Sequence, residues 1–271
     1  MMAGIVSLTM LVLVYFFITD SLDFLISKQP GNALVRINRL LKKMNLEPFK
    51  SLPAKTAMVE KISFLSLFGF EYKDSTIKSW IAVFFGFLTL YTLMSWVPTI
   101  AKEAGLSLNV SIYAGVALNA GAAIGSASVG ALGSKFGLRN TILTFMICAV
   151  AVMLLYGNFT WPTAMLLILI LLIGIFMQGG FNGLWPTLSR IYPSDIRATG
   201  VGFAFGIGRM GAIIGPSLFG FLSDKGFTTA FLFSLFSFSL LISGLCVFSL
   251  RSKNLIISNS NQVHQKTSVQ L

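Results

Sequence analysis

The sequence predicts an all-α membrane protein, and three observations carry that prediction. The chain of 271 residues is 55% hydrophobic and only 11% charged, with a mean hydropathy of +0.82. Soluble domains carry about 25% charged residues. Second, unbroken apolar runs stand at 2–19, 79–101, 110–132, 141–157, 163–185, 200–222 and 227–250. Each approaches or exceeds the roughly 20 residues with which a helix crosses hydrocarbon. Period-2 alternation is absent from these runs, which excludes the closed barrel, the other fold that satisfies its backbone in lipid. The third observation is where the cations fall. Of 20 Lys and Arg, ten lie in 20–78, and Lys135, Arg139, Arg190, Arg197, Arg251, Lys253 and Lys266 fall on the same side when the runs alternate. The other side holds Lys102 and Lys225. That bias follows the positive-inside rule, placing the N-terminus outside and the C-terminus in the cytoplasm. The net charge of +11 is therefore topological and does not point to nucleic acid.

Taken in order, the run 2–19 has no positive leader and no small-x-small cleavage site, and basic residues follow it, so it reads as a span rather than a signal peptide. A multispan protein opening in this way is expected to be the later part of a longer chain. Segment 20–78 is too long for a plain loop. Within it Leu34, Ile37, Leu40, Leu41 and Met44 share one helical face, with Arg36, Arg39, Lys42 and Lys43 opposite and Asn32 as the expected cap. Such a helix suits the cytoplasmic membrane surface beside anionic lipid, or serves as a plain connector.

The run 79–101 carries Tyr91 and Trp96, and Pro98 is expected to end or kink it. Trp96 either stacks on a ring or anchors at the outer interface. In 110–132, Gly121 and Gly125 form a G-x-x-x-G pair, and Gly115, Ala122, Ala123 and Ser126 extend the close-packing surface. Asn119 shares that surface, as a substrate hydrogen-bonder or as interhelical glue. In 163–185, Gln178, Asn182 and Trp185 recur at i, i+4, i+7. Uncharged polar groups beside an aromatic suit either a planar polar ligand or interhelical bonding. Pro186 is expected to kink the helix end. The run 200–222 has one charge, Arg209, near its middle. An intramembrane arginine is costly and faces a bundle interior or a water-filled path. On its stripe lie Gly202, Phe205, Gly206, Ala212, Ile213 and Pro216. It is either the partner of an anion or a structural arginine bonded to backbone. The run 227–250 has no ionisable side chain except Cys246 and reads as a lipid-facing support helix, and 251–271 reads as a disordered tail.

No nucleophile–base pair, nucleotide loop or metal-ligand spacing occurs, so neither an enzyme nor a cofactor or metal site is expected. Cys148 and Cys246 fall inside spans and suggest no disulfide framework.

Two turns carry a resemblance. Gly130-Ala-Leu-Gly-Ser-Lys135-Phe-Gly137-Leu-Arg139-Asn resembles the signature turn of the major facilitator superfamily, with Gly130, Lys135, Gly137 and Arg139 matching and Ser134 and Asn140 departing from it. Pro193-Ser-Asp195-Ile-Arg197-Ala-Thr-Gly200 is similar to a second turn of that family. The resemblance implies a six-helix C-terminal bundle over 79–250 of a twelve-span fold, preceded by its sixth helix, 1–19, and central loop, 20–78, and followed by a cytoplasmic tail. It also implies alternating access around a midplane site between two halves. Gly130, Lys135, Gly137 and Arg139 would gate the cytoplasmic side, with Asp195 and Arg197 as a gate pair or a solvated turn. A finer likeness, in 20–40 and in Gly206–Pro216, is to bacterial aromatic acid:proton symporters. It implies uptake of a benzoate-like or 4-hydroxybenzoate-like anion across the bacterial inner membrane. Arg209 would hold the carboxylate, and Gln178, Asn182 and Trp185 the ring and its hydroxyl. No Asp or Glu lies in the seven runs, so a proton-coupling carboxylate is expected in the preceding half. The alternatives are a carrier of another small organic solute, or a non-transporting remnant of a truncated gene.

Overall fold

The computed structural model describes residues 8–11, 14, 22–44, 46–52, 67–69, 72–192 and 194–250. Apart from 8–11 and 14, which are helical, the expected span 2–19 lies outside these residues, as does the tail 251–271. The chain divides into two compact units, 1–61 and 62–271. Every described element is a helix.

In the first unit, α1 (Leu22–Lys28) and α2 (Ala33–Lys43) form a small hairpin. Gln29 and Asn32 take positive φ, 44° and 64°, in the turn between them. Asn32 stands at the expected N-cap position but is left-handed and makes no side-chain cap, so it shapes the turn instead of capping the helix. Ile37 and Leu41 are buried with Ala33 and Leu25, and Leu22, Ile26, Leu40 and Phe49 close over them. Met44, expected on that face, is 59% exposed because it follows the last turn. The Asn38 side chain holds Phe49 in place, donating to its carbonyl at 3.1 Å and accepting from its N–H at 2.8 Å. Ile37 and Leu41 of the stripe expected to meet lipid are thus covered by the unit's own chain, with Leu34 and Leu40 half-buried.

Among the described residues, the second unit contains six helices or helix pairs long and apolar enough to cross a membrane. They are α3 (Lys73–Glu103), α4 (Leu108–Phe136), α5 (Leu138–Asn158), α6 (Thr163–Asn182) continued by α7 (Leu184–Ile191), α8 (Ser194–Asp224) and α9 (Thr229–Phe248). Each of the longer helices extends past its apolar run, since helical hydrogen bonding does not stop where hydrocarbon does. Pro98 does not end α3, which continues to Glu103. Pro186 lacks the N–H that would bond the Asn182 carbonyl, and the helix breaks at Gly183 between α6 and α7.

Three pairings dominate: α4 with α6, α3 with α8, and α5 with α9. In lipid no hydrophobic force drives helices together, so close backbone approach and hydrogen bonds must do so. A Cβ on Gly121, Gly125 or Gly174 would fall on the carbonyls of Leu171, Ile175 or Leu118 across the α4–α6 seam. Gly211 and Gly215 abut the Phe84 and Leu88 carbonyls of α3 in the same way. The Arg209 stripe behaves differently from expectation. Gly202 and Gly206 meet nothing within 4 Å, while Phe205 is buried. The packing glycines of α8 are therefore on the face away from Gly202 and Gly206. Only one side of α9 is open: Phe231, Leu235, Phe238 and Leu245 are exposed, while Leu232, Phe233, Phe236 and Leu240 lie in the core. Its buried Ser243 donates to the Ala82 carbonyl at 2.7 Å, and Ser239 bonds Thr89 at 2.5 Å.

Candidate functional site

The site is built on α3 and α8. The α8 register that turns Gly211 and Gly215 into α3 leaves Arg209 exposed on the open face. Its Nη1 donates to the Tyr91 hydroxyl of α3 at 2.9 Å. The guanidinium carbon also stands 5.4 Å from the Phe87 ring centre and 5.9 Å from that of Tyr91. Cation–π contacts of this length add about 0.5–1 kcal/mol at exposed sites. No carboxylate among the described residues pairs with Arg209. Its remaining N–H groups can therefore hold an anion by parallel hydrogen bonds. Tyr91 accepts from the guanidinium, so its own O–H is left to donate.

An aromatic array continues from there. Phe87 stacks on Tyr91 at 5.5 Å and meets Phe181 and Phe205 edge-on at 4.8 and 5.8 Å. Phe205 stacks in turn on Trp185, their centroids 3.4 Å apart. Trp185 is 47% exposed, so the array ends on a ring with an open edge. Phe87 and Phe181 do not stand out in the sequence, where Phe occurs 25 times. Spacing alone offers a signal: Phe87, Tyr91 and Met94 recur at i, i+4, i+7, on one face of α3.

Across the α4–α6 seam runs a polar relay. Gln178 Nε2 donates to Asn182 Oδ1 at 3.4 Å, Asn182 Nδ2 donates to Ser126 Oγ at 2.6 Å, and Ser126 donates to the Ala122 carbonyl at 2.7 Å. Asn182 is thus spent on interhelical bonding. Asn119 donates to the Gly115 carbonyl of its own helix at 2.8 Å. A pocket of about 180 Å³ is lined by Met94, Asn119, Ala122, Ala123, Ser126 and Gln178, among others. Ala122, Ala123 and Ser126 therefore line an opening, whereas Gly121 and Gly125 make the close contact. Trp96 lies elsewhere, donating to the Pro216 carbonyl at 3.1 Å and packing on Phe219. Its ring is committed to the α3–α8 contact.

The turn residues form a separate group. Gly137 joins α4 to α5 with φ of 86°, which favours glycine. Gly130 is exposed with open space around it, and Lys135 stands 5.2 Å over Phe136. Arg139 donates to the Phe248 carbonyl and lies over the Phe248 ring, while Lys78 bonds the Ser249 carbonyl at 3.4 Å and Asp74 at 2.8 Å. Two cations from α5 and α3 thereby sit at the negative end of α9. Arg197 donates to the Tyr192 carbonyl at 3.3 Å; the Asp195 side chain is outside the described residues. Tyr192 is buried, donates to Thr76 at 3.1 Å and fills the space beside Gly200. Burial raises its phenol above the ordinary value, against a smaller lowering by Thr76.

The family model of the Major Facilitator Superfamily matches residues 79–267. Over 222 residues the chain is 28% identical to the 4-hydroxybenzoate transporter PcaK of Acinetobacter baylyi, covering 79% of this chain and 48% of that protein. It is 34% identical over 190 residues to the 3-(3-hydroxy-phenyl)propionate transporter of Escherichia coli K12, covering 69% and 46%. It is 32% identical over 177 residues to the gentisate transporter of Corynebacterium glutamicum, covering 62% and 39%. The chain spans about half the length of the first two and less of the third. With a family match that runs from within the first of the six described spans to beyond the last, the chain belongs to the major facilitator superfamily.

Proposed function

We propose that the six-span unit is the second half of a secondary transporter for aromatic acid anions of the benzoate or 4-hydroxybenzoate kind. The observation that carries this reading is Arg209: an intramembrane cation on an open face, bonded to a phenol and two ring faces, with no carboxylate partner among the described residues. It supplies a carboxylate receptor next to ring surfaces, which is the chemistry of an aromatic acid. A carrier for neutral sugars has no use for that charge. The names of the relatives support the same substrate class.

In this reading Arg209 holds the carboxylate, Tyr91 donates beside it, and Trp185 offers its open edge to the ring. Trp96 and Asn182 act through packing. Alternating access moves this unit against a preceding bundle, and the 130–139 and 193–200 turns gate its cytoplasmic ends. Proton coupling falls to a carboxylate outside these spans, because Asp74, Glu103, Asp195 and Asp224 all stand at helix ends. The inner membrane of a bacterium, with the C-terminus in the cytoplasm, is the location that fits the cation distribution.

The test is equilibrium binding of labelled 4-hydroxybenzoate to the chain in lipid nanodiscs. Saturable binding is expected, weakened about ten- to a hundredfold or more in Arg209→Gln, from the 1.5–3 kcal/mol of a hydrogen bond to a charged group. Arg209→Lys is expected to recover part of it, since a point charge keeps attraction but loses the planar fork. Undiminished binding in Arg209→Gln would remove the assignment.

A further inference from the structure

We propose that the pocket between α3, α4 and α6 is a subsite for a hydroxyl group on the ring of the bound anion, whose single proton is shared between the amide oxygens of Gln178 and Asn119. The proposal rests on the reading of Arg209 as the carboxylate partner.

The direction of the polar relay decides what this pocket offers. A backbone carbonyl can only accept, so the Ala122 carbonyl obliges the Ser126 hydroxyl to donate to it. Ser126 Oγ must then accept from Asn182, which fixes Asn182 with its NH₂ toward Ser126 and its oxygen toward Gln178. Gln178 must in turn present its NH₂ to that oxygen. Its own Oε1 is left without a partner among the described residues, at the head of the relay and on the pocket wall. Asn119 is fixed in the same way from the other side. The Gly115 carbonyl claims its NH₂, and its Oδ1 has no partner among the described residues. Two amides that each could have faced either way are both held oxygen-outward by carbonyls that can only accept.

The rest of the wall contributes little polarity: Met94, Leu118, Ala122, Ala123, Gly174 and Met177 are apolar or lack a side chain. An acceptor pair in such a setting selects a donor on an apolar body, and it disfavours a group that can only accept. Met94 lies three residues from Tyr91, a rise of about 4.5 Å along α3. Through Met94 the pocket lies about one turn along α3 from Tyr91, the phenol that accepts from Arg209 of α8. A phenolic hydroxyl in its neutral form fits this description, and an aryl ether or an unsubstituted ring edge does not.

The experiment compares 4-hydroxybenzoate, benzoate and 4-methoxybenzoate as competitors for binding to the chain in nanodiscs. The hydroxy acid is expected to bind about tenfold more tightly than the other two, the size of one neutral hydrogen bond. The methoxy acid keeps the oxygen and exchanges the donated proton for a methyl group, and benzoate lacks the oxygen without adding bulk, so the two comparisons are read together. Gln178→Met is expected to bring the ratio toward one. Asn119→Leu, at an exposed position bonded only within its own helix, is expected to do the same without disturbing the seam. Equal affinity for the hydroxy and methoxy acids overturns the subsite, as does a preference that survives both substitutions. If Arg209→Gln still weakens binding about ten- to a hundredfold or more in those cases, the carboxylate assignment stands alone. Binding of none of the three acids overturns both.

Discussion

An arginine in a membrane span has to be satisfied from nearby, and Arg209 draws on a phenol and two ring faces. Removing the phenol oxygen tests that support. Tyr91→Phe keeps the ring stack on Phe87 and is expected to weaken 4-hydroxybenzoate binding about three- to tenfold, as the loss of one hydrogen bond. No change would show that Tyr91 is a bystander. Residue identity alone makes Arg209 conspicuous, because desolvating a charge is costly wherever it occurs. Identity does not separate Gln178 from Asn182, one turn apart on the same face. Only the serine across the seam shows that Asn182 is bonded away. Trp96 is legible as an aromatic near an interface but not as a donor to the Pro216 carbonyl, a contact made 120 positions along the chain.

At the scale of helices, the glycines divide by what faces them. Gly121 and Gly125 lie against backbone of α6, which cannot rotate aside as a side chain can. Gly125→Val is therefore expected to cost about 1–3 kcal/mol or more, read as a lowered melting temperature in detergent, or as a chain that fails to assemble. Gly202→Ala and Gly206→Ala, which meet open space, are expected to leave that temperature within a degree or two, corresponding to about 0.5 kcal/mol or less. Equal damage from both kinds of substitution would contradict the seam. The G-x-x-x-G spacing marks the α4 face. It cannot say which of the many glycines of α8 packs, because Gly202, Gly206, Gly208, Gly211 and Gly215 surround that helix and the partner α3 sets the register. The lipid-facing reading of α9 fits one of its sides and leaves out the other for a related reason. A helix apolar on all sides has no moment to show which side is buried, and its serines are needed to reveal contact with α3.

For the whole molecule, the proposed orientation has a direct check. In a chain freed of Cys148 and Cys246, Lys135→Cys is expected to react with a membrane-impermeant thiol reagent from the cytoplasmic side, and Lys225→Cys from the outer side. Both positions are exposed. The reverse pattern would invert the topology. Six spans, their order and the long basic segment are readable directly, because transfer into hydrocarbon depends on composition summed over about twenty residues. The turn after α4 is readable because a left-handed backbone at Gly137 leaves a local mark. The sequence by itself thus determined that the chain crosses a membrane, where its helices lie and that one cation is held inside them. Tertiary structure alone decided that Phe87, Phe205 and Trp185 join into one array, that α1 and Phe49 cover Ile37 and Leu41 of α2, and that Asn119 and Gln178 turn their oxygens outward. Those outcomes depend on which backbone group stands opposite each side chain, and hydrogen-bond direction is a property of pairs.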